Sequence, residues 1–309
     1  MTVICVPTQE MRAYLKPLSD DSEILAWDPS DAPPEGLERV EFLVPSYTAP
    51  SYLLGSHGAE LLAGIPALRV LQVLSAGVEV WIDVVPPGVV LCNGRGIHGG
   101  STAELGFAGL LAVLHHLPAQ VEHQREQAWE GHLAESLWGK RVLIVGAGDI
   151  GQHFGAAARV FGAETTLIGR RPRAGVHPLA ELPTLLPKHD VVLISLPMTP
   201  ETAGLVDADF LAAMPDDAVL VNVARGGLVD TDALIAELSS RRLRAFLDVT
   251  DPEPLPVGHP LWRVPNLLLT PHVGGGSVGW ERRANQLVAD QIMRLRAGQP
   301  LGNVVEAGY

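Results

Sequence analysis

The sequence predicts an α/β protein with two parallel-sheet domains, one of them a doubly wound dinucleotide-binding sheet. Three observations carry that expectation. Short apolar, β-branched runs alternate with helical or turn-forming stretches along nearly all of the 309 residues. One of these runs leads straight into a Gly-x-Gly-x-x-Gly stretch. Two glycine-rich crossings, near 98 and 275, let the last helix return to the first domain. The expected division is 1–97 with 276–309 for one domain and 98–275 for the other.

Bulk properties bound the function. At 47% hydrophobic and 18% charged, the chain can bury two ordinary cores. A formal net charge of −13 argues against a nucleic-acid partner, because neutralising phosphates needs an excess of Lys and Arg. Cys5 and Cys92 both lie in apolar runs, as buried thiols would. The N-terminus lacks the basic flank and apolar core of a signal peptide, and no apolar run approaches the ~20 residues that span a bilayer. A soluble cytoplasmic protein with no membrane partner is the expectation.

Taken in order, the first part offers strands at Val3–Val6, Ile24–Trp27, Val40–Val44, Arg69–Leu74 and Val89–Cys92. After the fourth come Ser75, Ala76, Gly77 and Val78. Small residues there expose backbone N–H groups that could hold a carboxylate, although an ordinary turn has the same composition. Residues 93–100 read as a linker. Ser101 or Thr102 is the expected cap of a mostly buried helix through Leu117, with Glu104 in its first turn. His115, His116, His123 and His132 lack a carboxylate or cysteine cluster at ligand spacing, so no metal is expected. Gln120 to Gly139, polar but carrying Trp129 and Trp138, reads as an arm that packs on another subunit.

The stretch from Arg141 to Arg173 organises the rest. A buried strand, Val142–Val145, precedes the glycines. Gly146 permits the tight turn, Gly148 removes a side chain that would block a pyrophosphate, and Gly151 lets the following helix approach the sheet. That helix, about Ile150 to Phe161, aims its N-terminal N–H groups at the phosphates, with Asp149 and Ile150 among the expected cofactor-binding residues. A second strand, Thr165–Ile168, ends in Gly169-Arg170-Arg171-Pro172-Arg173. An NAD-preferring site places a carboxylate here for the ribose hydroxyls. With no carboxylate, and with the guanidiniums of Arg170, Arg171 and Arg173 available for a 2′-phosphate, NADP(H) is the preferred cofactor and NAD(H) the possible one. A solvated basic turn is the competing reading.

Further strands follow at Val191–Ser195, Val219–Val223, Ala245–Asp248 and Leu267–Thr270, making six in this domain, before a closing helix (Val278–Ala297) and a surface tail from Pro300. Ligands in open α/β sheets bind beyond the carboxyl ends of strands. What emerges there is Leu196, Pro197 and Thr202, then Val223, Ala224 and Arg225, then Asp248 and Glu253, then His272 and Gly274. Singly, Arg225 could be a surface ion pair, Glu253 a solvated loop residue and His272 a structural histidine. Together at one edge they suit carbonyl reduction. An imidazolium can protonate the oxygen that gains charge on hydride transfer, and a carboxylate on its other nitrogen favours the charged ring and orients it. An arginine can fork onto a neighbouring carboxylate. The residues thus read as a reductase of small 2-oxo acids.

The chain also resembles the D-isomer-specific 2-hydroxyacid dehydrogenases, the family of phosphoglycerate dehydrogenase and glyoxylate/hydroxypyruvate reductase. The likeness lies in SAGVEVW, NGRGIHGGSTAELGF, VGAGDIG, LPMTPETAGLV, VNVARGGLVD, DVTDPEPLP, HPLWRVPNLLLTPHVGGGS and QPLGNVV, in that order. The resemblance implies a flavodoxin-like substrate domain beside the Rossmann domain, and a homodimer. It implies that Arg225 binds substrate, that Glu253 and His272 are the acid/base pair, and that Ser75 to Val78 cradle the substrate carboxylate. It also implies that Asp248 holds the nicotinamide carboxamide, with Leu196, Pro197, Thr202, Val223, Ala224, His272 and Gly274 lining the cofactor. Glyoxylate or hydroxypyruvate is the expected substrate and the D-2-hydroxy acid the product. Phosphoglycerate or phosphite oxidation, or dinucleotide sensing of the corepressor type, are the alternatives. Leu53, Leu54 and Trp262 are candidates for the substrate wall or for plain core packing.

Overall fold

The computed structural model describes residues 1–47, 56–171 and 173–306. Leu53 and Leu54 lie outside the described residues. The chain divides into two compact units, Met1–His98 with Val278–Tyr309, and Gly99–Ser277.

In the first unit, β1 (Thr2–Val6) leads to α1 (Gln9–Leu15), where the Thr8 hydroxyl accepts the Met11 amide at 3.1 Å and caps the helix. β2 (Ser22–Ala26), β3 (Phe42–Leu43), α2 (Ser56–Ala63), β4 (Val70–Gln72) and β5 (Val90–Cys92) follow. The strand order is β2-β1-β3-β4-β5 with every pairing parallel, the flavodoxin-type order. Alternation along the strands sorts the side chains into two layers. Ile4, Val6, Phe42 and Val70 meet Met11 and Leu15 of α1 together with Ala284, Val288 and Ile292 of the C-terminal helix, Trp280–Arg296. Val3, Cys5, Leu43 and Leu71 meet Leu62, Ile65 and Trp81 on the other side. Both cysteines are free and buried, and burial pushes the Cys5 thiol up to about 12 and that of Cys92 to about 11.

The described part of the tail lies at the surface, as expected, and is held there by specific bonds. Val304 forms an antiparallel bridge to Cys92, and the Val305 amide donates to Leu91 O at 2.9 Å. A buried amide pair explains the docking: Gln291 Nε2 donates to Gln72 Oε1 and to Gly302 O, both at 2.8 Å, while Gln291 Oε1 accepts the Gly302 amide. Removing the tail would orphan polar atoms that are almost fully buried.

The second unit opens with α3 (Gly99–Leu114). Its start lies earlier than the capping pattern implies, and Ser101 and Thr102 sit inside the first turn instead of ahead of it. The last two glycines of that linker, Gly99 and Gly100, are therefore helical, and Asp149 Oδ2 lies 1.9 Å from where a Cβ on Gly99 would stand. After α4 (Leu117–Arg125) the chain has no regular structure until β6 (Arg141–Val145). Along that stretch Trp129, Leu133 and Trp138 are exposed.

β6 is followed by α5 (Asp149–Val160), β7 (Glu164–Gly169), β8 (Val176–Pro178), α6 (Leu182–Leu185) and β9 (Val191–Ile194). Next come α7 (Ala208–Ala213), β10 (Val219–Asn222), α8 (Thr231–Ser239), β11 (Arg244–Leu247) and β12 (Leu267–Leu269). The sheet order is β12-β11-β10-β9-β6-β7-β8, all parallel. Counted from β6, that is the Rossmann order 3-2-1-4-5-6 with one strand added at the β12 edge. The six expected strands are all present, and β8 is a seventh. Short and ended by proline, it lacks the apolar run that marks the others. Leu143, Val145, Val192, Ile194 and Leu220 face α7 and α8, whereas Val142, Ile144, Leu193, Val221 and Phe246 face α3 and α5.

Candidate active site

The glycine turn shows why two of its three glycines are needed. Gly146 has φ 124°, and a Cβ there would lie 2.5 Å from the Ser195 backbone, whose hydroxyl donates to Gly146 O at 2.9 Å. At Gly151 a Cβ would lie 2.0 Å from Gly146 O. At Gly148, the N-cap of α5, a Cβ would meet nothing within 4 Å: the glycine faces open space, not protein. The α5 N-terminus points its amides to this side. Asp149 begins the helix with Oδ1 3.4 Å from His153 Nε2, and Ile150 packs on the core.

At the end of β7, a Cβ on Gly169 would lie 3.0 Å from Val176 Cγ1 and 3.4 Å from Ala147 Cβ, so the strand terminus abuts the glycine turn. Arg170, Arg171 and Arg173 are all exposed, but they are not equivalent. Arg173 Nη2 donates to Ala147 O at 2.9 Å and so braces the glycine turn. Arg170 lies within Coulombic reach of Glu201, whose carboxyl is held below its usual range first by a hydrogen bond from Thr199 and in smaller part by this guanidinium.

In the loop after β9, Leu196 is buried in the core and Pro197 is exposed. The Thr202 hydroxyl is buried, donating to Pro197 O at 2.8 Å and accepting the Thr199 amide at 2.8 Å. Its role in this geometry is to shape the loop. Val223 and Ala224 are buried after β10, and Arg225 is half-buried with Nη1 donating to Ala224 O at 2.7 Å.

A residue that motif reasoning passed over holds this turn. Asn222, 1% exposed, accepts the Ala224 amide at 3.0 Å and donates to Arg225 O at 2.9 Å. Its sequence signal was a polar residue closing an otherwise apolar strand. Gly226 then passes so close to the next loop that a Cβ would lie 1.9 Å from Thr250 O. The Arg225 turn and the loop bearing Glu253 are therefore in backbone contact.

β10, β11 and β12 are neighbours in the sheet, and Arg225, Glu253 and His272 leave their carboxyl ends in that order. His272 Nδ1 and Glu253 Oε1 are 2.5 Å apart, with the two side chains 45% and 40% exposed. An ionised carboxylate only accepts, so Nδ1 carries the proton in this bond and Nε2 points elsewhere. His272 has φ 54°, in the left-handed region. The structure pairs these two side chains as expected and places Arg225 on the same edge. Asp248, 1% exposed, accepts the Val273 amide on Oδ1 and the Gly274 amide on Oδ2, both at 2.9 Å. Trp262 is exposed, with Nε1 donating to Pro256 O, so it is not core packing.

In the first unit, the Ser75–Val78 turn is shaped by its carbonyls. Ser75 O accepts the Gly94 amide at 2.7 Å, Ala76 O accepts Asn93 Nδ2 at 3.1 Å, and Gly77 O accepts the Ser75 hydroxyl at 2.6 Å. A carboxylate would have to use this turn's amides.

The chain is similar to known proteins in sequence and fold. The family model for the D-isomer specific 2-hydroxyacid dehydrogenase, NAD binding domain, matches residues 107–274. The human glyoxylate reductase/hydroxypyruvate reductase is 29% identical over 306 residues, covering 91% of this chain and 90% of that protein. The D-3-phosphoglycerate dehydrogenase of Mycobacterium bovis is 33% identical over 261 residues, 81% of this chain, but this chain spans only 49% of that relative's length. A D-isomer specific 2-hydroxyacid dehydrogenase from Xanthobacter autotrophicus Py2, solved with NADPH and MES, gives a TM-score of 0.85 at 30% identity over 100% of this chain and 99% of that one. The NADPH-dependent glyoxylate/hydroxypyruvate reductase of Sinorhizobium meliloti, solved with NADP and sulfate, gives 0.84 at 26% identity over the full length of both.

Proposed function

The chain belongs to the D-isomer specific 2-hydroxyacid dehydrogenases, and from that premise we propose that it reduces a small 2-oxo acid, of the glyoxylate or hydroxypyruvate kind, to the D-2-hydroxy acid with NADPH preferred over NADH. The observation that carries this reading is the Glu253–His272 pair on the same carboxyl edge as Arg225, in a sheet with a dinucleotide fingerprint. Gly99–Ser277 is the proposed cofactor domain and the other unit the proposed substrate domain.

The residues fit the cofactor. Gly148 opens toward unfilled space at the α5 N-terminus, where a pyrophosphate would sit, and β7 ends without a carboxylate but with exposed Arg170 and Arg171 for a 2′-phosphate. Two relatives were solved with NADPH or NADP. Bound NADPH supplies the hydride. Arg225 forks onto the substrate carboxylate and polarises the adjacent carbonyl. His272 holds the transferable proton at Nε2 and releases it to the carbonyl oxygen as charge builds there. Glu253, bonded at Nδ1, fixes the orientation of the ring and keeps Nε2 turned to the substrate. The amides of Ser75 to Val78 are assigned by their motif to the substrate carboxylate.

A homodimer is part of the same proposal. Trp129, Leu133 and Trp138, exposed along one arm, are the kind of surface a second copy buries. Following A340 with NADPH and a panel of glyoxylate, hydroxypyruvate, pyruvate and 3-phosphohydroxypyruvate tests the activity. Turnover of the first two is expected. Cofactor binding with no turnover on any of the four would refute it in favour of a sensor.

A further inference from the structure

His272 stands in a backbone conformation that L-residues avoid, at φ 54°. Such a conformation persists only where surrounding bonds over-determine it. Those bonds converge on one residue. The carbonyl of Asp248 accepts the His272 amide at 2.7 Å. Its carboxylate takes three more donors from the segment around that histidine: the Thr270 hydroxyl at 2.6 Å and the Val273 amide at 2.9 Å on Oδ1, and the Gly274 amide at 2.9 Å on Oδ2. Asp248 is itself fixed, buried to 1% exposure, with its amide donating to Asn222 O at 2.9 Å. Gly274 packs so closely that a Cβ there would lie 2.9 Å from Asp248 Oδ2.

We propose that Asp248 is the positioning residue for His272, holding residues 270–274 in the turn that presents the imidazole, with the Thr270 hydroxyl locking the carboxylate in place. This rests on the reading of His272 as the proton donor and extends it. A contact to the nicotinamide carboxamide alone would not call for the chain's own donors on the carboxylate. A carboxylate offers about four acceptor positions. Oδ1 takes two donors and Oδ2 one, so a carboxamide N–H would bond at Oδ2. The nicotinamide and the proton donor are then registered against one rigid group, which hydride and proton delivery to a single carbonyl requires.

Thr270 separates this role from cofactor binding, because its hydroxyl bonds the carboxylate and the inference gives it no contact with the nicotinamide. Thr270→Val keeps the shape and removes the donor, and Thr270→Ser keeps the donor. For Thr270→Val, kcat should fall roughly tenfold while the NADPH dissociation constant stays within about twofold. In the cofactor-free protein the His272 ring resonances, assigned by comparison with His272→Gln, should shift and broaden. Thr270→Ser should restore both. Unmoved ring resonances with kcat unchanged would overturn the proposal. So would a loss of kcat/KM accounted for entirely by weaker NADPH binding. If the wild-type protein reduces no 2-oxo acid, the functional reading fails, and the ring resonances still decide whether Asp248 sets the histidine.

Discussion

Cofactor choice is assigned to two guanidiniums, and the structure lets their effect be sized. Arg170 and Arg171 are exposed at the end of β7, and Arg173 donates to Ala147 O and braces the glycine turn. An exposed ion pair with good geometry contributes up to about 1 kcal/mol, well below the value of a buried charge-assisted bond. Removing both side chains in Arg170→Ala/Arg171→Ala should therefore cost ~2 kcal/mol of 2′-phosphate recognition, roughly thirtyfold at 1.36 kcal/mol per decade. The readout is kcat/KM for NADPH and for NADH with one 2-oxo acid at fixed ionic strength. The NADPH value should drop by that factor and the NADH value should hold, so the ratio carries the whole change. Added salt should erode the wild-type preference, since these charges are solvent-exposed. Arg173→Ala should instead weaken both cofactors to similar degrees, through the loop. A wild-type enzyme that prefers NADH, or a double variant with an unchanged ratio, would refute the reasoning.

Other outcomes follow from single contacts. His272→Ala should lower kcat by roughly two to four orders of magnitude with NADPH still binding, as fluorescence titration would show; an unchanged kcat removes it from proton transfer. Gly226→Ala places a Cβ 1.9 Å from the Thr250 carbonyl, so the Arg225 turn must shift; a loss of about 1–3 kcal/mol in unfolding free energy and a raised KM for the 2-oxo acid are expected, checked by urea melts and kinetics. His189 is held below its ordinary 6.5, first by burial, and bonds Leu185 O and Thr166 Oγ1. The unfolded chain then binds the proton more readily than the folded one, so stability should fall as pH drops through 6.5. Urea melts between pH 7.5 and 5.5 should show a steeper loss for the wild type than for His189→Asn, and parallel slopes would contradict that.

Much of this molecule is legible from local pattern. Eleven expected strands are found because buried parallel strands read as continuous apolar runs, and their periodicity is a property of the chain alone. The exception, β8, is three residues of Val-His-Pro; its place beside β7 comes from pairing, which leaves no local trace. Similarly, the two glycines opening α3 look like a linker until the neighbouring Asp149 carboxylate is seen filling the space a side chain would need.

The site divides along the same line. The residue types and their positions after successive strands, Arg225, Glu253 and His272, are determined by the sequence, because strand order in a parallel sheet brings those ends to one edge. Tertiary structure alone decided that Asn222 grips the Arg225 turn, that Asp248 and Thr270 hold the segment around His272, that the Thr202 hydroxyl bonds within its own loop, and that Arg173 braces the glycine turn. Each of these is a hydrogen bond of fixed length and direction, and direction is set by how backbone segments are placed in space, a quantity that residue type and spacing do not encode.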